Sequence, residues 1–141
     1  MSYDKNNIFA KILRGEIPCK KVYENDHVLA FHDINPQKKV HVLVIPKRVV
    51  AEIFDLNEEE YSSCFSLVKD VKKILDDKFN PDGFNIGINN GEKAGQTIFH
   101  AHIHVIPRYS GDVDNPRGGI RHVIPGKGDC LLYTSDAADE L

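Results

Sequence analysis

Most of the links between the β-type runs of this chain are too short for parallel crossovers. "KKVYE" (20–24) and "HVLAFHDI" (27–34) are separated only by the turn-like pair Asn25-Asp26, and the polar "NPQKK" leads straight into "VHVLVIP" (40–46). A parallel crossover takes roughly a dozen residues, so runs joined this closely pair antiparallel. Two further strands are expected, "GFNIGIN" (83–89) and "IFHAHIHVIP" (98–107), with "NGEKAGQ" as the loop between them.

Two segments have helical spacing instead. In "NNIFAKILRGEIP" (6–18), Ile8, Phe9, Ile12 and Leu13 recur on one face, Gly15 supplies a stop and Pro18 closes the segment. The long helix spans 56–79, with an apolar stripe running from Tyr61 through Cys64, Phe65, Val68, Val71 and Leu75 to Phe79. Asn57 is its N-cap, Glu58, Glu59 and Glu60 suit its positive end, and Asn80-Pro81 ends it. The expected fold class is therefore α+β: an antiparallel five-stranded sheet with one short and one long helix.

A chain of 141 residues fits one such domain. A formal charge of −3 gives no support for nucleic-acid or membrane-surface binding, although Lys47 and Arg48 could meet one small anion. No run approaches the roughly 20 apolar residues of a membrane span. "MSYDKNNIF" lacks the layout of a secretion signal, so a cytoplasmic location is expected. Cys19, Cys64 and Cys130 have no metal or disulfide spacing and read as reduced thiols. After Arg108 the chain turns to Gly, Pro and charge, which reads as an extended tail. The domain is taken as 1–129. "CLLYTSDAADEL" (130–141) resembles the translated readthrough of a sequencing adapter, and Cys130 is given no role.

Against this frame, "FHAHIHVIP" is unusual. On a strand, His100, His102 and His104 share one face while Phe99, Ala101, Ile103 and Val105 take the other. A core-packed apolar face leaves the histidines to line a second surface. Two chemistries fit: a metal site, since imidazole is a common zinc ligand, or a nucleophilic imidazole whose neighbours position phosphate oxygens and protonate a leaving group. The loop just ahead supplies anion donors: Asn89, amides around Gly91 and Gly95, and the side chains of Gln96 and Thr97. The histidine strand itself holds no Asp or Glu as a further ligand. His41 could join a metal cluster, or orient the nucleophilic ring through its other nitrogen.

"HAHIHVIP" matches the histidine-triad (HIT) pattern. "NNIFAKILRGEIP", "VYENDHVLAFHDINPQ", "HVLVIPKR" and "NNGEKAGQTIFHAHIHVIPR" resemble, in order, successive blocks of the HINT-like branch of that family, together covering about residues 5–129. The resemblance implies hydrolysis or transfer at the α-phosphate of a purine nucleotide, commonly a nucleoside phosphoramidate such as adenosine monophosphate joined to an amine. His102 matches the nucleophile that carries a nucleotidyl intermediate, and His104 the residue that binds phosphate and assists the leaving group. His100 matches the first triad member, and His41 the histidine that hydrogen-bonds His102 and sets its tautomer. Asn89, Gly95, Gln96 and Thr97 match the phosphate loop. Asp33 matches the ribose acceptor; Ile8, Phe9, Phe31, His32 and Ile34 match the base pocket. A homodimer is implied, built by pairing long helices and joining two sheets. Many bacterial relatives carry CxxC in the first helix as part of a zinc site. Asn7 and Ala10 stand there instead, so no metal and no cofactor are expected. Neighbouring readings are a dinucleoside polyphosphate hydrolase, a nucleotide-binding scaffold with incidental hydrolysis, and a metal-binding module.

Overall fold

A computed structural model describes residues 2–34, 40–126 and 128. The first compact unit runs from Met1 to Arg108. Its elements in chain order are α1 (Ile8–Leu13), β1 (Lys21–Glu24), β2 (Val28–His32), β3 (Val42–Pro46), α2 (Glu58–Phe79), β4 (Gly83–Gly87) and β5 (Ile103–Arg108). The five strands form one sheet in the order β1-β2-β3-β5-β4, and every neighbouring pair is antiparallel. This is the architecture expected from the short links.

Side-chain alternation on β2 and β3 divides the core in two. Val28 and Ala30 of β2, with Val42 and Val44 of β3, face α2 and pack against Leu67 and Val71. Their neighbours Leu29, Phe31, Leu43 and Ile45 face the opposite way, against Phe9 and Ile12 of α1. The central strands are therefore buried on both faces, which suits their β-branched sequence.

Each helix begins where its sequence indicates. The Asn7 side chain accepts from the Ala10 amide to cap α1, and Gly15 leaves the helix at φ +78°. On α2, Asn57 and Glu60 form a reciprocal capping box, and Asn80 closes the helix in the left-handed conformation. Glu60 also takes both Nε and Nη2 of Arg48 at 2.8 Å, which compensates its burial. The stripe of α2 needs correction. Cys64, Val68, Val71 and Leu75 are buried together with Leu67, whereas Phe65 and Phe79 are exposed. Phe65 lies one residue, about 100° of helix, round from Cys64.

The last two strands are also shorter than expected. β4 stops at Gly87, and β5 starts only at Ile103, so His100 and His102 precede the strand. The β3–β5 ladder runs Val42↔Val105, Leu43↔His104, Val44↔Ile103 and ends there. The next backbone partner, Pro46, has no N–H to give. Its carbonyl is taken by the His100 ring, and the Ala101 amide turns to the Val50 carbonyl at 2.8 Å. Phe99, expected on the core face, is only half-buried.

Among the described residues, those from Tyr109 onward belong to a second compact unit where a tail was expected. It contains a 3-10 turn, Gly119–Val123, entered through Gly118 at φ +92°. The inferred adapter-like segment 130–141 lies outside the described residues. No helix among the described residues is long and apolar enough to cross a membrane.

Candidate active site

His104 is carried by β5, paired to Leu43 of β3 on one side and Gly87 of β4 on the other. Ile103 and Val105 point into the α2 core, so alternation turns His104 to the α1 face. The two histidines ahead of the strand reach the same region although they are not in the ladder. The His102 ring lies 5.0 Å from the His104 ring and 5.0 Å from Phe9 of α1. His100 is deepest, with no exposed surface.

Hydrogen bonds fix the proton on two of these rings. A carbonyl only accepts, so His100 Nε2, 2.8 Å from the Pro46 carbonyl, must donate. Its Nδ1 is then a lone pair and accepts from the Tyr3 hydroxyl at 2.6 Å. By the same logic His102 Nδ1, 2.8 Å from the His100 carbonyl, carries a proton. In the neutral ring that leaves a lone pair on His102 Nε2. The resemblance implied that His41 would hold His102. Instead, His41 Nε2 pairs with His104 Nδ1 at 2.9 Å, because the backbone carbonyl of residue 100 already occupies His102 Nδ1. Asp33 Oδ2 lies 3.8 Å from His41 Nδ1, close enough to favour a proton there. His104 Nε2 is buried and has no hydrogen-bond partner among the described residues.

Burial is the leading cause that pushes all four histidines below their ordinary value. It takes His100 and His104 down to about 4. His102 and His41 are lowered too, with Asp33 pulling each partly back. The cluster is therefore neutral at pH 7, the state in which imidazole nitrogen is a nucleophile.

The loop after β4 differs from the cradle expected. Gly91 and Gly95 both adopt positive φ, +90° and +95°, which their lack of a side chain permits. The Gly91 amide donates to Gln96 Oε1 and the Gly95 amide to the Glu92 carbonyl, so both are engaged within the loop. Gln96 is buried. In place of the phosphate contact expected of its side chain, its Nε2 donates to the Ala51 and Ile98 carbonyls. Gln96 shapes the loop. Thr97 is exposed and Asn89 half-buried, two residues past the β4 position that faces His104.

The nucleoside residues also divide. Asp33 and His32 are half-buried at the end of β2, Ile34 is exposed, and Ile8 is half-buried on α1. Phe31 is fully buried in the α1-side core, so it offers no face to a base; it backs Phe9, ring to ring at 5.7 Å. Phe9, 3% exposed, sets an edge against His102 and His100. Among the described residues no three His, Cys, Asp or Glu side chains gather as a metal cage. Tyr3 is the site residue that sequence reasoning missed: it lies 97 residues from its partner, outside every motif.

An antiparallel sheet with three histidines clustered at the start of one inner strand is the arrangement of a histidine-triad protein. The HIT domain model matches residues 14–111, and the chain belongs to that family. It is 48% identical over 105 residues to the protein named hit of Bacillus subtilis, covering 74% of this chain and 72% of that one. A HIT family protein from Bacillus anthracis superposes with a TM-score of 0.73 at 43% identity, over 99% of both chains. A hypothetical histidine triad nucleotide-binding protein from Sulfolobus tokodaii gives 0.70 at 35% identity, over 74% of this chain and 70% of that one. A HIT family hydrolase from Clostridium thermocellum gives 0.66 at 34%, over 78% and 96%.

Proposed function

We propose that this protein hydrolyses purine nucleoside 5'-phosphoramidates at the α-phosphate, through a nucleotidyl group carried on His102. The observation that carries this is the His102 Nδ1–H bond to the His100 carbonyl, which leaves Nε2 as a lone pair beside a second, unpartnered imidazole nitrogen. The names borne by the Sulfolobus and Clostridium relatives, nucleotide-binding and hydrolase, support the same class of chemistry.

In this reading, His102 Nε2 attacks phosphorus, the phosphorus–nitrogen bond to the leaving amine breaks, and the amine departs with a proton. His104 supplies that proton. Water then attacks the nucleotidyl-histidine and passes a proton to the now neutral His104, while the phosphorus–nitrogen bond to His102 breaks, releasing the nucleoside monophosphate and returning the His102 ring to its neutral form. Burial keeps His104 neutral in the free protein, but a phosphate anion against its Nε2 favours the charged form, so proton uptake accompanies binding. Asp33 accepts from the ribose hydroxyls, and Ile8, His32 and Ile34 meet the base. Asn89 and Thr97 flank the phosphate. The working form is a homodimer. The exposed Ile86 on edge strand β4 and the exposed Phe65 and Phe79 on α2 offer it apolar surface. Light scattering at twice the chain mass supports that assembly, and a monomer at micromolar concentration refutes it.

The test is to supply adenosine phosphoramidate and diadenosine tetraphosphate side by side, then to quench with labelled phosphoramidate and digest. Faster turnover of the phosphoramidate and a nucleotidylated peptide containing His102 are expected. Preference for the dinucleotide would move the protein to the neighbouring hydrolase class. Full activity of His102→Ala would refute the mechanism.

A further inference from the structure

We propose that Tyr3 is a positioning residue for His102, acting through His100. The inference rests on His102 being the nucleophile of the reaction above.

The segment before β5 is not held by the sheet ladder, which ends at Ile103. Its placement depends on local anchors: the Ala101 amide on the Val50 carbonyl, and the two ring nitrogens of His100. One ring nitrogen is fixed by the Pro46 carbonyl of β3 and the other by the Tyr3 hydroxyl, whose ring also meets the His100 ring edge-on at 5.7 Å. The carbonyl of this same residue accepts from His102 Nδ1. Tyr3 therefore holds the side chain of the residue whose main chain sets the nucleophile's tautomer. A relay of this kind orients an imidazole without touching substrate. Tyr3 precedes α1 and lies outside the span matched by the family model, so nothing in the shared motif assigns it this task.

Tyr3→Phe keeps the ring packing and removes the hydroxyl, which donates to His100 Nδ1 and also interacts with the Asn7 side chain. We expect kcat to fall roughly tenfold with KM nearly unchanged, because the nucleoside contacts are untouched. Nitrogen NMR of the substrate-free protein reads the tautomers directly. Wild type should show His100 protonated at Nε2 and His102 at Nδ1, and Tyr3→Phe should shift His102 towards a mixture of both forms. Val71→Ala, a core change on the far face of the sheet, controls for stability alone and should leave both kcat and the tautomers as they are. The proposal is overturned if wild-type His100 is protonated at Nδ1. It is also overturned if Tyr3→Phe leaves His102 tautomer and kcat unchanged, or if Val71→Ala reproduces both effects. Because the spectrum needs no substrate, a tautomer shift in a protein that never carries nucleotide would sustain the relay while removing the reaction.

Discussion

His102 is defined by one hydrogen bond and by its burial. In the proposed reaction the Nδ1–H bond to the His100 carbonyl leaves the Nε2 lone pair to attack phosphorus, and a proton arriving on Nε2 would remove the nucleophile. Burial lowers the pH at which that happens. The account predicts that kcat/KM rises as pH falls from 7.5 past the ordinary histidine value of about 6.5, because binding takes up a proton on His104, and that protonation of His102 checks the rise only below that value. A decline already complete at that value would contradict the burial argument. Residue identities at this scale were largely legible. The alternating motif marked the three histidines, and the resemblance of "VYENDHVLAFHDINPQ" to a family block singled out Asp33. The hydrogen-bond partners were not. His41 serves His104 rather than His102 because a main-chain carbonyl, which carries no side-chain signature, already holds the middle ring. Tyr3 meets His100 only through the fold.

Among the elements, α1, α2 and the first three strands follow from periodicity, caps and turn residues. The long helix even shows its capping box in the spacing of Asn57 and Glu60. The late start of β5 did not show, because the stretch from Phe99 to Val105 alternates whether or not a neighbour pairs with it. Pro46 on β3 decides where the ladder ends, and that register is a tertiary fact. The loop 91–96 taught a related lesson. Its composition suggested amides open to phosphate, yet Gln96 satisfies the loop from inside. Gln96→Ala should therefore act mainly on stability. Losing three hydrogen bonds, each worth about 1 kcal/mol net, should cost about 3 kcal/mol in urea unfolding. A loss under about 0.5 kcal/mol would mean that the loop is held by other contacts.

The molecule as a whole carries its chemistry as an acid sensitivity. His100 and His104 titrate near 4 in the folded protein and near 6.5 when unfolded. Between those values the unfolded chain binds more protons, so stability is intact above about pH 6.5 and is lost as pH falls towards 4. The fully buried His100 alone contributes on the order of 3 kcal/mol to that loss. Urea midpoints should fall steeply from pH 7 to pH 4.5, and a flat profile would show that these rings are hydrated.

The most direct test of the central claim is stereochemical. A phosphoramidate made chiral at phosphorus by one sulfur is hydrolysed in heavy-oxygen water, and the configuration of the product is read by phosphorus NMR. Two successive displacements, onto His102 and then onto water, predict retention. Inversion would mean that water attacks phosphorus directly and that no nucleotidyl-histidine forms.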